Sequence, residues 1–141
     1  MKSENNISCI RWWQFLPLLL IFHLSLLTSC TSCEQPSREE LASLAARGYY
    51  EHLIHGEYEE FLEGKDSLPA GYHAQMLENL KMFKAQQEKA HGGICNVEIS
   101  QVRQDTLVDY TSVFLMLTFV DSTKEEIIVP MVERQGRWRM R

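Results

Sequence analysis

Two histidines and the carboxylates near them are the first side chains in this sequence that could do chemistry. His52 and His55 are three residues apart, and Glu51 and Glu59 lie close to them. Imidazole nitrogens and carboxylates at such spacings can hold Zn²⁺, which can activate water. A third ligand cannot be identified, because the next histidines along the chain belong to another predicted helix. The sequence therefore predicts no metal and no cofactor, and we interpret both histidines as capping or half-buried polar groups.

Four tyrosines between residues 49 and 72 could line a ligand pocket and offer it their hydroxyl groups. They are Tyr49, Tyr50, Tyr58 and Tyr72. The alternative, which we favour, places them in the contact between helices and sheet, with the hydroxyls at its rim. No acid and base are paired at a spacing typical of catalysis. The sequence predicts no catalytic residue.

Cys30 follows an apolar stretch, residues 12–27, whose 16 residues are short for a membrane span of about 20. Two basic residues and one acidic residue precede the stretch, as in a secretory signal. It ends in Leu27-Thr28-Ser29-Cys30, which resembles the bacterial lipobox. This motif predicts a signal peptide over residues 1–29 and a lipid on Cys30. An uncleaved signal anchor, with Cys30 an incidental thiol, is the alternative.

The charge of the chain excludes nucleic acid as a partner. The formal net charge is −5, and it becomes −6 without residues 1–29, which hold two of the 14 basic and one of the 19 acidic residues. An acidic chain without a basic run is a poor partner for phosphate backbones, and attachment to a membrane must come from the lipid. Thr31, rather than aspartate, follows Cys30 and favours the outer membrane, with the protein facing the periplasm.

Cys33 and Cys95 are the cysteines that remain in the mature chain once Cys30 is acylated. An oxidising envelope permits a disulfide between them. We favour instead a buried free thiol at Cys95. The short segment 30–36, which contains Cys33, is predicted to be a polar tether.

Helical periodicity begins directly after the tether. Ser37 followed by Glu40 is typical of a capping box, and His55-Gly56 ends the first helix. The helical spacing of its residues predicts this buried face: Leu41, Leu44, Ala45, Gly48, Tyr49 and His52.

Two further helical segments follow. The first is short and turns Tyr58, Phe61 and Leu62 inward. The second opens at Pro69, which the first helical turn tolerates, and stops at Gly92-Gly93. Its predicted buried face consists of Tyr72, Met76, Leu80 and Phe83.

After Gly93 the apolar residues alternate, which indicates β-strands. The first predicted strand turns Cys95, Val97 and Ile99 to one face. A third predicted strand contains Pro130, which favours a sheet edge or a bulge. Gln135-Gly136 is then typical of a two-residue hairpin turn before a last strand.

The second predicted strand lies within residues 107–120 and is apolar on both faces over its second half. Val113, Leu115, Leu117 and Phe119 alternate with Phe114, Met116 and Val120. One face must pack on the helices, and the other needs cover from closure of the sheet into a cone, from a ligand or from a second subunit. Helices followed by an antiparallel meander predict a single α+β domain over residues 37–141, with its helices on one face of a curved four-stranded sheet.

Several short motifs carry a resemblance to a known family. They are Gly48-Tyr49-Tyr50, His55-Gly56-Glu57-Tyr58, Gly93-Ile94 and Gly136-Arg137-Trp138-Arg139-Met140. With them the chain resembles small lipoproteins of Gram-negative bacteria that carry a nuclear-transport-factor-2-like, cystatin-like domain. The resemblance implies a cone of helices and curved sheet that often encloses a pocket. Some proteins of this fold are isomerases or dehydratases, but their catalytic positions match no residues here.

The function expected from the sequence is that of a non-enzymatic envelope lipoprotein. Its domain would bind an unknown small ligand, or it would meet a second copy or another envelope protein through the sheet face. The alternative is a small-substrate enzyme, isomerase- or dehydratase-like, that uses the pocket of the cone.

Overall fold

Helices come first and strands second in the computed structural model, which describes residues 35–104 and 107–141. The helices are α1 (Arg38–His55), α2 (Tyr58–Glu63) and α3 (His73–His91). The strands are β1 (Ile94–Gln104), β2 (Thr111–Phe119), β3 (Lys124–Arg134) and β4 (Arg137–Met140). The predicted signal peptide, Cys30 and Cys33 lie outside the described residues. Among the described helices, none has the length and hydrophobicity that crossing a membrane requires.

Local signals set both ends of α1 where the sequence predicts them. The Ser37 hydroxyl accepts a hydrogen bond from the Glu40 N–H at 3.1 Å, which satisfies one free donor of the first turn. At the other end Gly56 adopts a left-handed conformation, with φ of 79°, and its N–H returns to the last turn. The predicted start and end of this helix are confirmed.

The buried face of α1 differs from the predicted one. Leu41 and Leu44, which were predicted to be buried, are 43% and 44% exposed. The face that meets the sheet is rotated around the helix and contains Ala42, Ala46 and Leu53. Alanine side chains let the helix axis approach the sheet closely, so the helix packs through its smallest residues and leaves two leucines at its side.

The third helix begins at His73, later than the predicted start at Pro69. Gly71 lies between them with φ of 87°, which no helix accommodates, and the Tyr72 N–H closes a turn onto the Pro69 carbonyl. The predicted buried face of α3 is correct in part. Met76 and Leu80 are half-buried against the core, whereas Tyr72 is 53% and Phe83 37% exposed.

The four strands form an antiparallel meander in the order β1-β2-β3-β4. Side chains of β2 that point inward, from Val113 to Phe119, are buried. They meet α1 and the inward residues of the neighbouring strands in one hydrophobic core. Trp138 of β4 belongs to this core and is 8% exposed.

Two bulges in β1 change which of its residues face inward. The pairing with β2 shifts between Ile94 and Asn96 and again between Ile99 and Gln101. Each shift adds one unpaired residue, which bends the strand and reverses the alternation after it. Cys95 occupies the first bulge and is exposed, so the predicted inward thiol is wrong.

The strand β3 is an inner strand, although Pro130 predicted an edge or a bulge. Pro130 pairs with Ser112 of β2 without any break in register. Its carbonyl accepts a hydrogen bond from the Arg141 N–H, so its backbone groups face the β4 side, where that short strand ends. The missing N–H therefore costs no bond to β2. The hairpin turn at Gln135-Gly136 is confirmed, since both residues have positive φ.

Candidate functional site

The predicted tyrosine group divides between core and surface. The Tyr49 hydroxyl donates to the Trp138 carbonyl at 2.8 Å, which ties α1 to β4. The Tyr50 ring packs edge-on against Phe61, and burial raises the pKa of its hydroxyl. Tyr72 is exposed. The structure thus supports the interpretation of Tyr49 and Tyr50 as residues packed against the core.

Each of three histidines pairs with one carboxylate, and the pairs are separate. His52 meets Glu57 at 2.5 Å, and the hydrogen bond from this imidazole is the main cause that lowers the pKa of Glu57. The other two pairs are His73 with Glu59 at 2.9 Å and His91 with Asp121 at 2.8 Å. Among residues 35–104 and 107–141, no group of three histidine, cysteine or acidic side chains could hold a metal ion.

The absence of a structural metal stays a prediction, with a direct test. We expect the His52→Gln/His55→Gln double variant to change the free energy of unfolding by no more than about 1 kcal/mol, because the pair of His52 with Glu57 is exposed. A chelator should leave the melting temperature of the unaltered protein unchanged. Stoichiometric zinc in elemental analysis, lost together with stability in the double variant, would contradict this and reopen the enzyme alternative.

Cys95 is an exposed thiol on β1, not the buried one predicted. Its sulfur contacts the Thr118 carbonyl at 3.3 Å across the bulge. Because Cys33 lies outside the described residues, the question of a disulfide between the two stays open.

A cleft of about 200 Å³ lies between the C-terminal end of α1, the second half of α3 and the start of β1. We call it the α1–α3 cleft. Its apolar walls are Leu53, Ile54, Phe83 and Ile94, and its polar side chains are Lys84, Gln87 and Glu88. The polar residues and Phe83 lie three and four positions apart on α3, so one side of that helix presents them together.

Backbone hydrogen bonds hold the end of α3 beside the cleft. The Val120 N–H donates to the Gly93 carbonyl at 3.0 Å, and the Asp121 N–H donates to the His91 carbonyl at 3.2 Å. Hydrogen bonds from Thr123 and His91 lower the pKa of Asp121 to about 2, so this carboxylate is ionised at neutral pH. The turn between β2 and β3 thereby fixes one end of the cleft.

Gly92 lets the end of α3 approach Val120 closely, because glycine has no side chain. A Cβ at Gly92 would lie 3.0 Å from the Val120 Cβ, which is closer than most Cβ contacts in proteins, and the φ of Gly92 is 75°. The sequence alone indicated Gly92-Gly93 only as a helix stop and did not single out Lys84, Gln87 or Glu88. The second glycine was the sequence signal that pointed to a close contact here, because a single glycine suffices to end a helix.

The outer face of the sheet carries apolar side chains, as the alternation in β2 predicted. Phe114 and Met116 are half-buried there, and Ile128 of β3 is 61% exposed. The Arg103 guanidinium lies 5.7 Å from the centre of the Phe114 ring and covers part of this face. The binding of a second copy or of an envelope protein to this face stays a prediction.

Comparison with known proteins supports the fold. Neither a model of a known protein family nor a curated protein sequence matches the chain. Its structure is similar to that of a candidate NTF2-like transpeptidase from Campylobacter jejuni, with a TM-score of 0.55 and 13% sequence identity over 67% of this chain and 92% of that one. At this identity the likeness shows the fold alone. The chain has the predicted α+β architecture of an NTF2-like cone, with helices followed by a four-stranded antiparallel sheet.

Proposed function

We propose that this chain is a lipoprotein of a Gram-negative envelope that is anchored through Cys30 and binds a small ligand in the α1–α3 cleft. The carrying observation is the position of that cleft. The tether reaches the domain at Ser37, next to the first residue of α1, whereas Leu53 and Ile54 line the cleft near the last. The two places are about 24 Å apart along a helix that rises about 1.5 Å per residue.

This arrangement suits a binding module held close to a membrane. The segment 30–36 can span at most about 25 Å when fully extended. A lipid on Cys30 would therefore keep the start of α1 near the bilayer, and the cleft at the far end of α1 can stay open to the periplasm. Thr31 after the lipidated residue supports the outer membrane as the place of anchoring.

The ionisable groups of the cleft favour binding over catalysis. Its described lining offers one ammonium, Lys84, and one carboxylate, Glu88. The isomerase or dehydratase alternative would need an acid and a base placed on either side of a substrate. The described histidine pairs lie elsewhere, since none of their side chains lines the cleft.

Lipidation at Cys30 is tested by metabolic labelling with a fatty-acid analogue. We expect the unaltered chain to take up the label and the Cys30→Ala variant to lose it entirely, because stable anchoring needs acyl chains on that residue. Cys33→Ala is the matched control, since it removes the neighbouring thiol and should keep the label. Equal labelling of the unaltered chain and Cys30→Ala would contradict the proposed anchor.

A further inference from the structure

We propose that the α1–α3 cleft selects small apolar molecules that carry a carboxylate, with the Lys84 ammonium as the group that binds the anion. This inference rests on the proposed binding function and gives its ligand a chemical class. The walls supply the apolar part of the site, since Leu53, Ile54 and Ile94 come from two different elements that are fixed to the core.

Lys84 is a half-buried cation without a partner. Among the described residues it forms no hydrogen bond or ion pair. By contrast, Lys81 on the same helix pairs with Glu78 at 2.7 Å. An anion that enters the cleft would give this ammonium a charge-assisted hydrogen bond, which is stronger than a hydrogen bond between neutral groups.

The Lys84 ammonium lies close to Gly56, the residue that ends α1. A Cβ at Gly56 would stand 3.2 Å from the Lys84 Nζ, which is closer than ordinary van der Waals contact. Glycine therefore leaves the ammonium room at the end of α1, next to the apolar wall formed by Ile54. This places charge and hydrophobic surface side by side, as an aliphatic carboxylate requires.

Glu88 does not cancel this preference for an anion. It lies one turn beyond Lys84 on α3, yet the two side chains form no ion pair. Glu88 is exposed, so water solvates its carboxylate, whereas Lys84 is half-buried. The ligand charge that gains most from entering the cleft is thus negative.

The volume of the cleft limits the size of the ligand. The cleft has a volume of about 200 Å³. Sites for drug-sized ligands are larger, about 300–1,000 Å³. A six-carbon chain with one carboxylate is therefore a suitable probe, and hexanoate is the simplest.

The test compares three probes of equal chain length on the lipidated mature protein in nanodiscs, with empty nanodiscs as the reference. The probes are hexanoate, 1-hexanol and hexylammonium, and ligand-observed NMR gives their dissociation constants. We expect hexanoate to bind about tenfold more tightly than hexanol, the effect of one charge-assisted hydrogen bond. Lys84→Met should bring the two constants within about twofold of each other. Lys89→Met, an exposed lysine of the same helix, should leave the preference intact.

Every other result overturns the inference. Equal binding of hexanoate and hexanol by the unaltered protein would show that the cleft does not select anions. The inference would then fail, whereas the proposed ligand-binding function would stand. Tighter binding of hexylammonium would assign the recognition to Glu88. A hexanoate preference that survives in both Lys84→Met and Lys84→Gln, each with an unchanged melting curve, would move the anion site elsewhere. If none of the probes binds, the ligand-binding function fails together with the inference.

Discussion

Replacing Trp138 by alanine is expected to lower the free energy of unfolding by about 3–5 kcal/mol, the usual cost of removing a large aromatic from a core. Trp138 is 8% exposed and packs within the core that α1 shares with the sheet. The Arg38 guanidinium lies over the indole ring, 5.3 Å from its centre. The substitution removes the apolar contact and this cation–π interaction at once.

The measurement is urea unfolding of residues 36–141, followed by far-ultraviolet circular dichroism. Ile128→Ala is the matched control, because it truncates a β-strand side chain that is 61% exposed and should change stability by no more than about 0.5 kcal/mol. A loss below about 1 kcal/mol for Trp138→Ala would mean that this side chain is not part of the core, and the register of β4 would then be wrong.

Gly64→Ala is expected to destabilise the domain by about 1–3 kcal/mol through overpacking. A Cβ at Gly64 would lie 2.5 Å from the nearest carbon of the Tyr49 ring. The ring cannot move aside freely, because its hydroxyl donates to the Trp138 carbonyl at 2.8 Å. Gly64 itself cannot withdraw, since its carbonyl accepts from the Met140 N–H at 2.7 Å.

The backbone of Gly64 is in an ordinary helical conformation, with φ of −70°, so only this steric contact should penalise alanine. Gly48→Ala is the matched control, since a Cβ there would meet nothing within 4 Å. It should stabilise α1 by about 0.5–1 kcal/mol, as alanine does in a helix interior. In a Tyr49→Ala background the cost of Gly64→Ala should largely disappear. A cost that is unchanged in that background would exclude the proposed clash.

The sequence by itself determined the order of the elements and several of their ends. Ser37 at the start of α1, Gly56 and Gly92 at helix ends and Gln135-Gly136 in the hairpin all act through the chain within a few residues. Such interactions depend on local backbone geometry, which the residue types reveal directly. The change from helical to alternating periodicity after Gly93 likewise predicted the α+β fold.

Only the tertiary structure decided which side of each element is buried. Leu41 and Leu44 satisfy helical periodicity as well as Ala42 and Ala46 do, and the closer packing of small residues on the sheet selected the alanines. Cys95 fits the alternation of a regular strand, but pairing with β2 places it in a bulge and turns it outward. The strand β2, which is distant in sequence, therefore decides which residues of β1 face the core.

The α1–α3 cleft could not be predicted from the sequence either. Its lining comes from the end of α1, one side of α3 and the start of β1, which approach one another only after the core has formed. Nothing in the sequence distinguishes Lys84 from Lys81 or Lys89. Among the described residues Lys84 differs from Lys81 in forming no ion pair and in lying beside Gly56, and both are properties of the packed domain rather than of the local sequence.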